Sequence, residues 1–162
     1  MKTAKPSASQ TDNAALALRR FRVVFNAVRT HFRHVEKETG LGGAQVWALS
    51  LIQQNPGMGV GEVSAKMDIH QSTASNLIKI LVKKDLLTLS KSDGDKRAVE
   101  LRVTAEGKKA IKKIPGPFEG VLPEALRQLD DATLASLNRD LEKLMHVLEA
   151  DEDAGSIPLA HL

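Results

Sequence analysis

The stretch that decides the fold is "HQSTASNLIKILVKKD", residues 70–85. Within it Ala74, Leu77, Ile78, Leu81 and Val82 fall at i, i+3, i+4, i+7 and i+8, the spacing of one buried stripe on an α-helix. The opposite face carries Ser72, Ser75, Asn76, Lys79 and Lys83. Short polar side chains lower helix propensity because they compete with the backbone for hydrogen bonds. Gln71, Ser72, Thr73, Ser75 and Asn76, crowded into the first two turns, therefore either cap the helix or face something outside it.

Reading outward from this helix narrows the choice. Upstream, Ala44, Trp47, Ala48, Leu51 and Ile52 form the stripe of another helix, ended by Asn55-Pro56-Gly57. A short helix over 60–67 follows, and Asp68-Ile69-His70 supplies a tight turn. Downstream the period changes to two: Leu87 and Leu89 alternate with Thr88 and Ser90, and Val99, Leu101 and Val103 with Glu100 and Arg102. Two strands thus flank the polar, glycine-containing tip "KSDGDKRA". Thr104 reads as the N-cap of a helix containing residues 108–113, which "IPGP" (114–117) ends or kinks because proline cannot donate to a helical ladder.

Helix, turn, helix, strand, loop, strand is the order of a winged helix-turn-helix, whose second helix enters the DNA major groove N-terminus first. Hydroxyl and amide side chains suit that position. Gln71 and Asn76 can pair bidentately with adenine, Ser72 and Ser75 can exchange hydrogen bonds with base edges or phosphates, and Thr73 can offer its methyl to thymine. Lys79, further along the same face, suits a phosphate. In the wing, Lys91 and Lys96 are expected phosphate contacts. Arg97 is expected to reach into a minor groove, with Asp95 setting its direction.

Both ends of the chain carry longer apolar seams. A first helix is expected over 12–38, stopped by Gly40, with Leu18, Phe21, Phe25, Val28, Phe32 and Val35 at alternating spacings of three and four. Leu134, Leu137, Leu141, Leu144 and Leu148 repeat the pattern behind an N-cap at Asp130 or Asp131. These seams either cover each other within one chain or interlock with a second copy. Together they expose more apolar stripe than the small middle can cover, which favours a homodimer with Leu18, Phe21, Leu134, Leu137, Leu141 and Leu144 at the interface. The expected organisation is a flexible tail over 1–11, dimerisation helices over 12–39 and 115–150, a DNA-binding lobe over 40–114, and a C-terminal tail over 151–162.

Composition excludes several classes. The chain has 162 residues and no cysteine, so a disulfide framework, thiolate metal site or cysteine nucleophile is ruled out. The uncharged run over 40–61 is broken by Gln45, Gln53, Gln54, Asn55 and Pro56 and is no membrane span. "MKTAKPSASQTD" has no apolar stretch of signal-peptide length, and a cytoplasmic location is expected. There is no glycine-rich phosphate loop after a strand and no nucleophile elbow, so an enzyme is not expected, nor a cofactor. His31 and His34, with Glu36 and Glu38 near, read as a solvated helix surface rather than a metal site. Residues 1–58 hold 8 Lys+Arg against 3 Asp+Glu, 59–113 hold 12 against 7, and 118–153 hold 3 against 10. A basic front and an acidic rear suit a protein that turns one face to a polyanion.

The segments "VSAKMDIHQSTASNLIKILVKKDLL", "SDGDKRAVELRVT" and "TAEG" closely resemble the MarR family of bacterial transcriptional regulators. Three features carry the match: the helix-turn-helix, the Asp-x-Arg element at Asp95 and Arg97, and the strand exit over Thr104 to Gly107. The resemblance implies a mainly α fold with a small β-hairpin wing, and a homodimer joined by its terminal helices on a pseudo-palindromic operator. It also implies repression relieved by a small, commonly aromatic acid. Family members build that effector pocket on the first two helices, where Phe21, Arg22, Phe25, Arg29, His31 and Trp47 stand in this chain. The sequence departs from the family at Asp68, where glycine is common, at Asn76, where arginine is frequent, and in the Pro115, Pro117 and Pro123 cluster. The rival reading is a winged helix used for protein contact, with DNA binding that is weak and salt-sensitive.

Overall fold

Helix α2 (Gly43–Gln54) is the axis around which the chain is built, with Ala48, Leu49 and Ile52 wholly removed from solvent. A helix apolar on nearly every side must be surrounded. The computed structural model describes residues 7–91, 99–113 and 116–161, and over these the surround is complete. Helix α1 (Ala8–Thr39) precedes α2 in the chain, and α3 (Val60–Met67) and α4 (Gln71–Lys83) follow it. The antiparallel pair β1 (Leu87–Lys91) and β2 (Val99–Val103) comes next, then α5 (Ala105–Ile111). All but β1 pack substantially on α2. Val63, Met67, Leu77, Leu81, Leu87 and Leu101 complete one continuous core.

The hairpin pairs Leu87 with Val103, Leu89 with Leu101 and Lys91 with Val99. Its apolar face is buried at the base, at Leu87 and Leu101, and open towards the tip, where Leu89 is 53% and Val99 45% exposed. The loop over 57–58 adds a short third line of pairing, since Gly57 N donates to the Leu101 carbonyl and Leu101 N to the Met58 carbonyl, both at 3.0 Å. Gly107 explains the "TAEG" exit: a methyl group there would collide with the Leu86 carbonyl, so only glycine lets α5 lie this close to the start of β1. Thr104 Oγ1 caps α5 by accepting from Gly107 N at 3.0 Å and donates to the Asp85 carbonyl at 2.8 Å.

Three boundaries differ from the sequence expectation. Helix α1 starts at Ala8 rather than residue 12, because Ser7 caps it by accepting from Gln10 N at 3.2 Å. Within the region 115–150 expected for dimerisation, α7 (Asp131–Leu148) starts at the cap the sequence offered, but a further short helix, α6 (Val121–Arg127), precedes it. Gly116 and Gly120 take φ values of 92° and 121°, which no helix continues through. Pro123 falls in the first turn of α6, where its missing N–H costs nothing. Asp130 restarts the chain as N-cap of α7, accepting from Thr133 N at 2.9 Å and Thr133 Oγ1 at 2.7 Å. Finally, the segment expected as a C-terminal tail folds back over its described residues, 151–161. After 3₁₀ turns at Glu152–Ser156 and Leu159–His161 they return to pack on α1 and α2.

The α1 seam divides in two. Val28 and Val35 are 6% and 2% exposed within this chain, whereas Leu18 and Phe25 are 51% and 47% exposed. Helix α7 has no buried residue at all and makes no more than marginal contact with any other element.

Candidate nucleic-acid interface

The turn before α4 is fixed by three local devices. Asp68 takes the left-handed conformation (φ 51°, ψ 50°), which aspartate tolerates better than most residues. Ser64 Oγ donates to the Ile69 carbonyl at 2.6 Å, and Ile69 N donates to the Ser64 carbonyl at 3.1 Å. Ile69 is buried, so the turn is anchored in the core rather than lying on it. At the far end of α4, Lys84 Nζ donates to the carbonyl of Gly40, the left-handed C-cap of α1, at 3.1 Å.

Among the described residues, the polar side chains that open α4 do not serve as its cap. His70 is its N-cap residue and makes no side-chain cap, and none of Gln71, Ser72, Thr73, Ser75 or Asn76 caps the helix either. Ala74, Leu77, Ile78 and Leu81 are buried, as the stripe predicts. Gln71, Ser72, Asn76 and Lys79 are exposed, and Thr73 and Ser75 half-buried. The first three N–H groups of a helix have no partner inside it, and here no side chain supplies one. The result is an uncapped positive helix end fringed by hydroxyl and amide groups, chemistry suited to phosphate oxygens and base edges together.

Lys91 lies in β1 opposite Val99, on the strand that leads to the wing tip. Asp95, Lys96 and Arg97 lie outside the described residues. At the wing base Arg102 is paired with Glu100 at 3.0 Å on an exposed strand, an arginine that sequence reasoning passed over because nothing but its place beside β1 distinguishes it.

The residues assigned to the dimer seam are in part uncovered. Phe21 stacks on Phe25 with ring centroids 6.3 Å apart, and the pair faces outward with Leu18. Leu134, Leu137 and Leu141 are half-buried, and Leu144, Val147 and Leu148 are exposed by 38%, 78% and 66%.

The residues assigned to an effector pocket scatter. A cavity of about 190 Å³ lies between the α1 end of the lobe, the turn before α4, the start of α6 and the C-terminal segment. Val28, Phe32, Trp47, Met67 and Ile69 line it, with Leu159 and Ala160. Of the assigned set only Trp47 does so. Phe25 and Arg29 border an adjoining depression that shares Val28 and Leu159 with it, and Phe21 and Arg22 line neither. No basic side chain lines the 190 Å³ cavity itself. Arg29, the basic residue nearest to it among the assigned set, stands on the far side of Val28 and Leu159. Phe32 was read only as seam. It threads between Gly43 and Gly120, where a methyl on either residue would press on its ring.

His31 also differs from expectation. It is not solvated: its Nε2 is buried without a hydrogen-bond partner. Burial holds its pKa below the ordinary histidine value, with the Pro117 carbonyl opposing and the neighbouring His34 adding to the drop. No group of three or more metal-ligating side chains occurs among the described residues.

Comparison with known proteins agrees with this geometry. Residues 39–98 match the model of the MarR family. The chain is similar to the uncharacterised HTH-type transcriptional regulator YsmB of Bacillus subtilis, 25% identical over 72% of this chain and 80% of that one. Its fold is shared by a MepR-like protein crystallised with pseudoligands (TM-score 0.55, 20% identity, 88% of this chain and 97% of that one). It is shared too by the regulator MosR of M. tuberculosis, solved in complex with DNA (TM-score 0.51, 20% identity, 90% and 97%). The uncapped α4, its core-anchored turn and β1 all lie within the segment that matches the MarR family model, and the chain, over most of its length, is similar to winged helix-turn-helix transcriptional regulators.

Proposed function

We propose that the protein represses transcription by binding double-stranded DNA as a homodimer, with one α4 from each copy in successive major grooves of an inverted repeat. The observation that carries this reading is the fringe of Gln71, Ser72, Ser75 and Asn76 around an uncapped helix end, none of it used inside the chain. Such a fringe has no structural role to explain it, and it meets the hydrogen-bonding needs of a groove edge. A DNA-bound member of the same fold, MosR, lends support. The uncovered stripes of α1 and α7 support the second copy, since an 18-residue helix with five leucines at seam spacing and no buried side chain is an unfinished interface. In a two-fold dimer the half-sites then lie about one helical turn apart, roughly 10 bp.

The test is fluorescence-anisotropy titration of the protein on DNA from upstream of its own gene and on a scrambled duplex, over a salt series. Tight binding to the first at physiological salt, with one dimer per site, supports the reading. Equal, weak binding to both that vanishes at moderate salt points instead to a winged helix used for protein contact.

A further inference from the structure

Residues 116–120 are the joint between the lobe and the helices that follow it. Gly116 and Gly120 bound the segment with positive φ, so the chain turns at both its ends. Between them Phe118 packs on the lobe core, and Pro117 and Phe118 lie beside Trp47 of α2, lining with it a depression that also takes in Arg127 of α6. On the α1 side the joint meets His31 and Phe32. The Phe32 ring lies against Gly120 and stands edge-on to the His31 ring, with centroids 5.3 Å apart. The Pro117 carbonyl is the backbone group that favours a proton on His31, while Nε2 is buried with no hydrogen-bond partner. A neutral ring can leave its acceptor nitrogen unfilled there at modest cost. A protonated ring donates from both nitrogens, so one N–H and a charge would be buried with nothing to receive them. Among the described residues no carboxylate offsets that charge. The charged neighbour acting on the ring is His34, a turn further along α1 and itself basic. Helix α2 has no charged residue, and Glu119 of the joint and Glu124 of α6 are both taken up by Arg127, at 2.6 and 3.2 Å. The described side chains of the C-terminal turn on α1, Leu159 and Ala160, are apolar.

We propose that His31 is the catch of an acid-sensitive hinge: residues 116–120 stay docked on α1 and α2 while its ring is neutral, and come away when it takes up a proton. The fate of Nε2 makes the link. Once protonated it must reach water, and the joint, held between two glycines, gives way before α1, which Val28 and Val35 fasten to the lobe. Burial already holds the pKa of the docked ring below the ordinary histidine value. Undocking therefore raises its affinity for a proton, and falling pH favours the undocked state. Because the joint leads from the lobe to α6 and α7, its release uncouples the two. Neither the catch nor its test depends on DNA being the partner of α4.

Trp47 is the chain's single tryptophan and lies against the joint, so its emission reads docking directly. Emission and acrylamide quenching are followed from about pH 7.5 to about pH 5 in wild type, His31→Gln and His34→Gln, with far-UV circular dichroism as the measure of helix content. In wild type, acidification is expected to shift emission reversibly to the red and to raise the quenching constant roughly twofold, with helix content unchanged. His31→Gln is expected to hold its neutral-pH spectrum throughout. His34→Gln should keep the transition and move it to higher pH, because a repelling neighbour is gone. A wild-type spectrum that does not respond, the same transition in His31→Gln, or loss of helix content together with the red shift would each overturn the hinge. Should His31→Gln not fold at neutral pH, His31→Phe, aromatic and unable to take up a proton, replaces it under the same criteria.

Discussion

The DNA-binding lobe and the terminal helices are built from similar apolar spacings and end in opposite states. In the lobe, the stripes of α2 and α4 meet partners in the same chain, and Leu49, Ile52 and Leu81 are wholly buried. In α7, a stripe of equal regularity leaves Leu134, Leu137 and Leu141 only half-buried and Leu144 and Leu148 exposed, and the first half of α1 leaves Leu18 and Phe25 about half exposed. A regular stripe therefore states that a face must be covered, not by what. The lobe answers from its own sequence. The described part of the terminal helices leaves those faces uncovered, and the dimer proposed above rests on that unfinished burial rather than on the pattern itself.

The sharpest way to separate the two regions is to damage each and ask what fails. Leu81→Ala, in the middle of the lobe core, is expected to cost about 3–5 kcal/mol of unfolding free energy in urea denaturation, because the surroundings cannot collapse around the gap. A cost under about 1 kcal/mol would mean that α4 is not seated as described. Leu141→Asp in α7 is expected to leave the lobe folded and to weaken self-association about a hundredfold, roughly 2.7 kcal/mol, in sedimentation equilibrium. If this variant stayed dimeric, α7 would not be the interface.

Asn76→Ala tests a residue that belongs to neither core. It is expected to cost roughly 1–3 kcal/mol of binding to the specific duplex with melting temperature unchanged, whereas Lys79→Ala should weaken binding to every duplex alike. Loss of stability in Asn76→Ala would show the residue to be structural after all.

The smallest effect is that of His31, on the half of α1 that the lobe covers. Its pKa in the folded chain lies below the ordinary 6.5, so as pH falls through that value the unfolded chain takes up the proton first and stability is lost. His31→Gln should remove this component, so that its stability falls less than that of wild type between pH 7 and about 5.5. Parallel pH profiles for the two proteins would place His31 in solvent.

The helices and hairpin of the lobe were legible almost residue by residue, because there local signals and burial agree. The stripe from Ala74 to Val82, the period-two alternation around the wing and the cap at Thr104 each specify an element without outside help. The boundaries missed lie where polar residues decide. Ser7 extended α1 by capping earlier than its apolar pattern begins, and the short α6 follows Gly116 and Gly120 in a stretch where no stripe was read. Of the candidate site, the exposed fringe of α4 was visible in spacing alone. That it does not cap the helix was not, since capping depends on backbone angles at His70 that no spacing reveals.

By itself the sequence determined which faces are apolar and where chain direction changes, because both are local: a side chain's period and a residue's tolerated backbone angles do not wait for the rest of the molecule. Tertiary structure alone decided which apolar faces find each other. It gave Val28 and Val35 to the lobe and left Leu18 and Phe25 outside, and it set Phe32 between Gly43 and Gly120. It also brought Ala160 back across the length of the chain to α2. Such long-range choices turn on shape, on two glycines and an alanine leaving room for one ring and one turn, and shape exists only once the helices are packed.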